Sequence, residues 1–195
     1  MQIFNFPIRD AFFCIELRLY KFFVKLDQLK SLISSHSNFP KKGIVFRDVL
    51  EILQDPVTFN ELIKNMSSVD FLFEADAIIS IDARGFIFGS AISFYTSKPI
   101  IFARKPGKLP GELVSKSYSL EYGNNSLSLQ KKSLDKYNSF VIVDDLIATG
   151  GTVNCVYEIL NDQHKKITGL IVAVELEKFD ARSKLPFKIS SQVKL

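Results

Sequence analysis

A chain of 195 residues, 47% hydrophobic and 24% charged, has the composition of a globular protein able to bury one sizeable core, and excludes a disordered or disulfide-stapled scaffold. Its 25 basic and 21 acidic residues leave a formal charge of +4. That excess is spread along the chain apart from pairs such as Lys41-Lys42 and Lys131-Lys132, which suits a small anionic substrate better than a nucleic-acid track.

The first stretch, MQIFNFPIRDAFFCIELRLYKFFVK, is rich in phenylalanine but interrupted by Arg9, Asp10, Glu16, Arg18 and Lys21, too often for a membrane-spanning helix. It has no small-residue cleavage site and carries acids that transit peptides avoid, so residues 1–25 are expected to be an amphipathic extension. An over-extended translation start is the competing explanation. Residues 26–195 are expected to form a single domain. LDQLKSLISSH sets Leu26, Leu29, Leu32 and Ile33 on one helical face. Pro40 and Gly43 punctuate the chain before the strand IVFRDVL, and Asp55-Pro56 caps a helix whose Phe59, Leu62, Ile63 and Met66 share a face. DAIISID reads as a buried strand, GFIFGSAISFY as the helix behind it and PIIFA as the next strand. A basic loop rich in glycine and proline is expected between Arg104 and Ser117, then a hairpin turning at Gly123 and Asn124. VIVDDLI, its following helix, and a final strand ITGLIVAVELE complete the alternation. Strands alternating with helices predict an α/β fold: a mostly parallel twisted sheet with helices on both faces.

The cysteines, Cys14 and Cys155, form no disulfide framework and no paired metal spacing, which predicts a reduced, cytoplasmic setting. His36 and His164 stand alone and are expected at the surface, so neither a zinc site nor a Ser-His-Asp triad is indicated.

Chemistry concentrates in VIVDDLIATGGT, Val141 to Thr152. A buried strand stops at a turn of small residues and a helix follows. Gly150 and Gly151 admit an anion close to the backbone, while Thr149, Thr152 and the helix N-terminus offer donors. Asp144 and Asp145 stand one turn upstream as acceptors for sugar hydroxyls or for Mg²⁺ through water. A sugar phosphate fits both halves, and a solvated glycine turn is the equal alternative. No Gly-Lys-Ser/Thr follows the glycines, and Gly-x-Gly-x-x-Gly does not occur. In IDARGFIFG, Arg84 is either a bidentate clamp for a diphosphate or a surface ion pair with a neighbouring acid. In FPKKGIVFRDV, Phe46 and Arg47 could flank a flat heterocycle, although a core Phe46 and a surface-paired Arg47 are favoured by chemistry alone. Arg104, Lys105 and Lys108, among Pro and Gly hinges, suit either a loop that closes over a departing anion or a merely solvated charge run.

Taken together, these stretches resemble the type I phosphoribosyltransferases, and FPKKGIVFRDV and the loop from Arg104 to Gly123 resemble their adenine-specific members. The likeness runs from about Leu26 to the C-terminus in four motifs in the expected order. It implies a small hood near residues 39–49 and a flexible flap hairpin. By this resemblance, Asp144 and Asp145 bind the ribose hydroxyls of phosphoribosyl pyrophosphate (PRPP), and Ala148, Thr149, Gly150, Gly151 and Thr152 wrap its 5′-phosphate. Asp82, Ala83 and Arg84 form the pyrophosphate loop, with a cis peptide at Asp82-Ala83 or Ala83-Arg84, and Arg104, Lys105 and Lys108 assist. Adenine lies against Phe46 and Arg47, with its amino group at the Val45 backbone. Glu121 and Tyr122 are the acid/base and orienting pair of the flap, and Arg84 shares in catalysis. The reaction implied is adenine plus PRPP giving AMP and pyrophosphate, a step of purine salvage. Mg²⁺ is expected to be held by PRPP and water rather than directly by the protein. A homodimer is expected, in which Arg104 reaches the neighbouring site, with no nucleic-acid or membrane partner. Ala148 stands where enzymes acting on 6-oxo purines carry an aspartate. Lys116 departs from the pattern, where a smaller or apolar flap residue is expected. A PRPP-sensing DNA-binding regulator is the rival from another class; it would need a recognition module that the apolar first 25 residues do not provide.

Overall fold

The computed structural model describes residues 26–120 and 123–195. The expected N-terminal extension, with Cys14, therefore lies outside the described residues, as do Glu121 and Tyr122. The chain opens with α1 (Leu26–Ser31) and a small antiparallel pair, β1 (Ser34–Ser37) and β2 (Val45–Asp48). Then come α2 (Pro56–Met66), the single turn α3 (Asp70–Phe73), β3 (Ala77–Ile81), α4 (Gly85–Thr96) and β4 (Ile100–Ala103). A hairpin of β5 (Leu113–Leu120) and β6 (Gly123–Gln130) leads through the turn α5 (Lys131–Leu134) to β7 (Ser139–Ile147). The chain finishes with α6 (Gly151–Asp162), β8 (Lys166–Glu175) and β9 (Lys188–Lys194).

The central sheet has the order β4-β3-β7-β8-β9, and every neighbouring pair is parallel. A sheet with both faces covered needs apolar residues at successive positions rather than alternate ones, and AIISI and FVIV supply them. On one face Ile79, Ile142 and Val172 pack with Val153, Val156, Ile159 and Leu160 of α6 and with Leu127 and Leu129 of the hairpin. On the other, Ile78, Val141, Val143 and Ile171 pack with Leu62 and Met66 of α2 and Phe88 and Ile92 of α4. The α2 cap forms as expected: the Asp55 side chain accepts the Val57 and Thr58 amides at 3.1 and 3.2 Å, with Pro56 at the first helical position.

Four local expectations need correction. The first helix stops at Ser31, and Ser34–Ser37 pairs with β2; the apolar spacing of Leu32 and Ile33 outlasts the helix, because the run of serines after them favours other backbone partners. The loop after Arg104 is shorter than expected, since β5 already begins at Leu113. Gly123 and Asn124 are not a turn but strand residues opposite Leu120 and Ser119. The register that buries Leu127 and Leu129 fixes this, because a one-residue slip would turn both to solvent. Finally, β8 is not the last strand. KISSQVK adds an edge strand of which only Val193 is fully buried, too polar a pattern to stand out.

Lys116, the polar residue on the hairpin, has a partner in the fold. Its Nζ lies 2.7 Å from Asp162 Oδ2 and 3.8 Å from Glu158 Oε2, both on α6, while Cys155 Sγ donates to its carbonyl at 3.2 Å. The hairpin is thus fastened along the helix that starts at the glycine turn. His36 and His164 are exposed, as expected.

Candidate active site

The C-terminal ends of β3, β7 and β8 come together at one end of the sheet, the place where open parallel sheets bind ligands. Two cavities meet there. One, of about 450 Å³, is lined by Asp82, Ala83, Arg84, Asp144, Asp145 and the turn Ala148 to Thr152. The other, of about 460 Å³, is lined by Lys42 to Arg47 on one side and by Leu176, Lys178 and Phe179 on the other. Phe46, Arg84, Leu146 and Ala148 line both, so the two open into each other.

The glycine turn leaves β7 and enters α6 through Gly150, whose φ of 84° lies in the left-handed region that a side chain would strain. Gly150 at the N-cap has no side chain to cap the helix, and the turn Ala148 to Thr152 and the helix start both line the cavity. An open cavity at a helix N-terminus is an arrangement that suits an anion.

Asp144 and Asp145 are 8% and 5% exposed. Asp144 Oδ1 accepts the Asp145 amide at 2.9 Å. Arg84 Nε lies 2.8 Å from Asp145 Oδ2 as an ion pair, but that oxygen accepts no aligned hydrogen bond. Burial, and then the charge of Asp145, pushes the Asp144 carboxyl well above the usual range. Burial also raises Asp145, against the pull of Arg84. The first turn of α4 packs directly on this pair: a Cβ on Gly85 would lie 2.7 Å from Asp144 Oδ1.

The Asp82-Ala83 peptide is cis, one of the two positions expected. The Arg84 guanidinium sits 4.8 Å from the centre of the Phe46 ring, and its Nη1 reaches the Arg47 carbonyl at 3.4 Å, a long contact. It therefore spans both cavities. Arg104 Nε lies 3.2 Å from Asp82 Oδ2, and its guanidinium stands 5.5 Å from the Phe86 ring. Arg104 is thus tied to its own chain's loop. Lys105 and Lys108 are exposed and line neither cavity.

In the hood, Phe39 meets Phe46 edge to face at 5.2 Å and Arg47 donates to Ser35 Oγ, so Phe46 is a cavity wall rather than core. Among the described residues, strand β2 pairs with β1 alone, and Val45 is 41% exposed. Sequence reasoning missed Leu146, Leu176, Lys178 and Phe179. The last three directly follow β8, and the crevice rule applied to that strand end would have found them. Among the described residues no group of three metal-ligating side chains converges.

Comparison with known proteins agrees with this geometry. Residues 48–192 match the phosphoribosyl transferase domain family. The adenine phosphoribosyltransferase of Prochlorococcus marinus (strain MIT 9312) is 60% identical over 168 residues, which are 86% of this chain and 99% of that protein. The crystal structure of the adenine phosphoribosyltransferase from Thermoanaerobacter pseudethanolicus superposes with a TM-score of 0.81 at 36% identity, covering 88% of this chain and all of that one, 100%. That of the Saccharomyces cerevisiae enzyme, complexed with an imino-altritol bisphosphate and adenine, does so with a TM-score of 0.75 at 29% identity, covering 86% and 98%.

Proposed function

The chain belongs to the phosphoribosyltransferase family and, within it, to the adenine phosphoribosyltransferases, and from that premise we propose how its two joined cavities divide the substrates. The activity is the transfer of the 5-phosphoribosyl group of PRPP to adenine, giving AMP and pyrophosphate in purine salvage. PRPP occupies the cavity of the aspartates and the glycine turn; adenine occupies the one between the hood and Leu176 to Phe179. The single observation that carries this division is the shared wall of Phe46, Arg84, Leu146 and Ala148, which lets a base in one cavity meet an anomeric carbon in the other.

Ala148, Thr149, Gly150, Gly151 and Thr152 hold the 5′-phosphate, and Asp144 and Asp145 take the ribose hydroxyls, supported by their place in the wall of the same cavity. Asp82, Ala83 and Arg84 receive the diphosphate, with Arg104 close by on Asp82. Lys105 and Lys108 reach it only if their exposed loop closes. Mg²⁺ arriving with PRPP would make the diphosphate a better leaving group by its charge. The carboxylates in the cavity wall fit the ion, since they can take water-mediated contacts. The bond from the anomeric carbon to the diphosphate breaks with its electron pair leaving on oxygen, and purine N9 forms the new bond from the opposite face. Positive charge on the ribose ring is held beside the aspartates, and the proton lost from the base passes to Glu121, oriented by Tyr122.

Base choice follows from the hood. The backbone at the exposed Val45 and the side-chain-poor Ala148 suit a 6-amino purine; a 6-oxo purine would bring acceptor to acceptor, a cost of about 1–3 kcal/mol for an unpaired buried group. A homodimer is part of the proposal, supported by the apolar face of α4, where Phe94 is 91% and Tyr95 48% exposed. No helix among the described residues is long and apolar enough to cross a membrane, and a cytoplasmic place is proposed. Glu121→Gln, assayed with adenine and PRPP, should lower turnover about 100-fold or more with PRPP affinity within about twofold; unchanged turnover would remove Glu121 from the proton transfer.

A further inference from the structure

Behind the cavity wall facing the hood lies an ion pair between a buried carboxylate and a half-exposed guanidinium that belongs to none of the four motifs. Strand β8 ends at Glu175, 4% exposed, and the chain then passes through two short 3₁₀ turns, Glu177–Phe179 and Ala181–Lys184, before β9. This segment meets the site twice. Leu176, Lys178 and Phe179 line the second cavity. Ala181 and Leu185 lie beneath the glycine turn, where a Cβ on Gly150 would come 3.6 and 3.7 Å from their side chains. Its near end is tied by the Leu176 amide to the Ile147 carbonyl and the Glu177 amide to the Leu195 carbonyl, both at 2.9 Å, whereas the bonds within it are few, Phe179 to the Leu176 carbonyl at 3.2 Å and Asp180 to the Glu177 carbonyl at 3.0 Å, and leave the part beyond Phe179 to side chains.

Arg182 supplies the lateral restraint. Its Nε and Nη2 donate to the two oxygens of Glu175, each at 2.7 Å. Nη1 donates to the Ile189 carbonyl at 2.8 Å and Nη2 also to Ser191 Oγ at 3.1 Å, and Ser191 in turn donates to Glu175 Oε2 at 2.6 Å. One planar fork thus ties the segment to the end of β8 and to β9, and a fork, unlike an ammonium, fixes direction as well as distance. Burial alone would raise the Glu175 carboxyl, but the Arg182 and Ser191 hydrogen bonds outweigh it and hold the group below the usual range. The pair is therefore charged at neutral pH.

We propose that Glu175 and Arg182 are positioning residues for adenine, setting the separation between the Leu176 to Phe179 wall and the Val45 to Phe46 strand opposite, and so the width of the slot that receives the flat base. This rests on the assignment of that cavity to adenine. Neither residue touches substrate; both act through Phe179 and its neighbours. A lysine at position 182 would keep the charge and lose the fork.

The test is steady-state kinetics with each substrate varied in turn, on Glu175→Gln, Arg182→Lys and, as a separate probe of the cavity assignment, Phe46→Leu. Glu175→Gln keeps an acceptor and leaves an Arg182 that is already 41% exposed, so it is the variant most sure to fold. Both brace variants should raise the KM for adenine about five-fold or more, with the KM for PRPP within about twofold. A brace needed only for stability would lower the melting temperature and leave the adenine KM of the folded enzyme unchanged, and that result overturns the proposal. So does an equal rise in both KM values, which would mean general loosening. If Phe46→Leu raises the adenine KM and the brace variants do not, only the positioning role fails. If Phe46→Leu also leaves it unchanged, the cavity assignment fails and the proposal with it.

Discussion

At the scale of single residues, the site is a conflict between two buried carboxylates and one guanidinium. Asp144 and Asp145 share a wall from which water is largely excluded, and Arg84 offsets one charge better than two. The Asp144 carboxyl is raised by burial first and by its neighbour's charge second. A carboxyl whose folded value is raised holds its proton more tightly in the folded state. Its contribution to stability is therefore present at low pH and lost as pH rises from the ordinary carboxylate value through the raised one. Asp144→Asn removes that loss. Its melting temperature relative to the unmutated chain should climb as pH rises above the ordinary carboxylate range, while its KM for PRPP rises about tenfold through the lost ribose contact. A melting difference flat above that range would show that Asp144 does not carry the strain ascribed to it. The sequence singles these two residues out as acids at the end of an apolar strand just before a glycine turn, but leaves a solvated turn as the equal alternative until the resemblance is weighed. Their ion pair with Arg84 was not legible: the guanidinium is distant in sequence and reaches Asp145 only because β3 lies beside β7.

Elements place these residues by packing, and α4 is the clearest case. Its first turn lies so close to β7 that Gly85 has no room for a methyl group: a Cβ would stand 2.7 Å from Asp144 Oδ1 and 3.2 Å from the Val143 carbonyl. The carbonyl belongs to a central strand and cannot yield. Gly85→Ala should push Asp144 out of line, raising the KM for PRPP at least tenfold and lowering the melting temperature by roughly 2–6 °C, for about 1–2 kcal/mol of overpacking in a chain of this size. Wild-type kinetics in this variant would show that the approach of α4 does not set the aspartate's position. The order of strands and helices was readable because fully buried parallel strands appear as unbroken apolar runs and α2 carries its own cap. Elements with weak local signals were not readable. Strand β1 is a run of serines and a histidine, β9 is a half-polar edge, and the hairpin's register depends on Leu127 and Leu129 finding α6. The wall from Leu176 to Phe179 escaped for the same reason. Nothing in LEKF marks it locally; its place comes from the strand end before it and from the Arg182 fork behind it.

For the whole molecule, one frame brings together two recognition problems of different chemistry. On the proposed division, the anionic sugar would be met by backbone amides, a helix end and paired acids, and the uncharged base by the strand of the two-stranded hood and by apolar and aromatic side chains. The excess of positive charge suits a substrate that arrives with many negative ones. Arg84, spanning both cavities beside Phe46, is the residue through which the two halves are physically joined. The central claim is that this frame selects adenine and delivers it to the anomeric carbon of PRPP. Its most direct test is incubation of the purified protein with PRPP, Mg²⁺ and, separately, adenine, hypoxanthine, guanine, xanthine and uracil, with chromatographic identification of the nucleotide formed. AMP from adenine, at a rate about tenfold or more above any other base, is the predicted result. Comparable rates with hypoxanthine, or no nucleotide from adenine at all, would contradict the account.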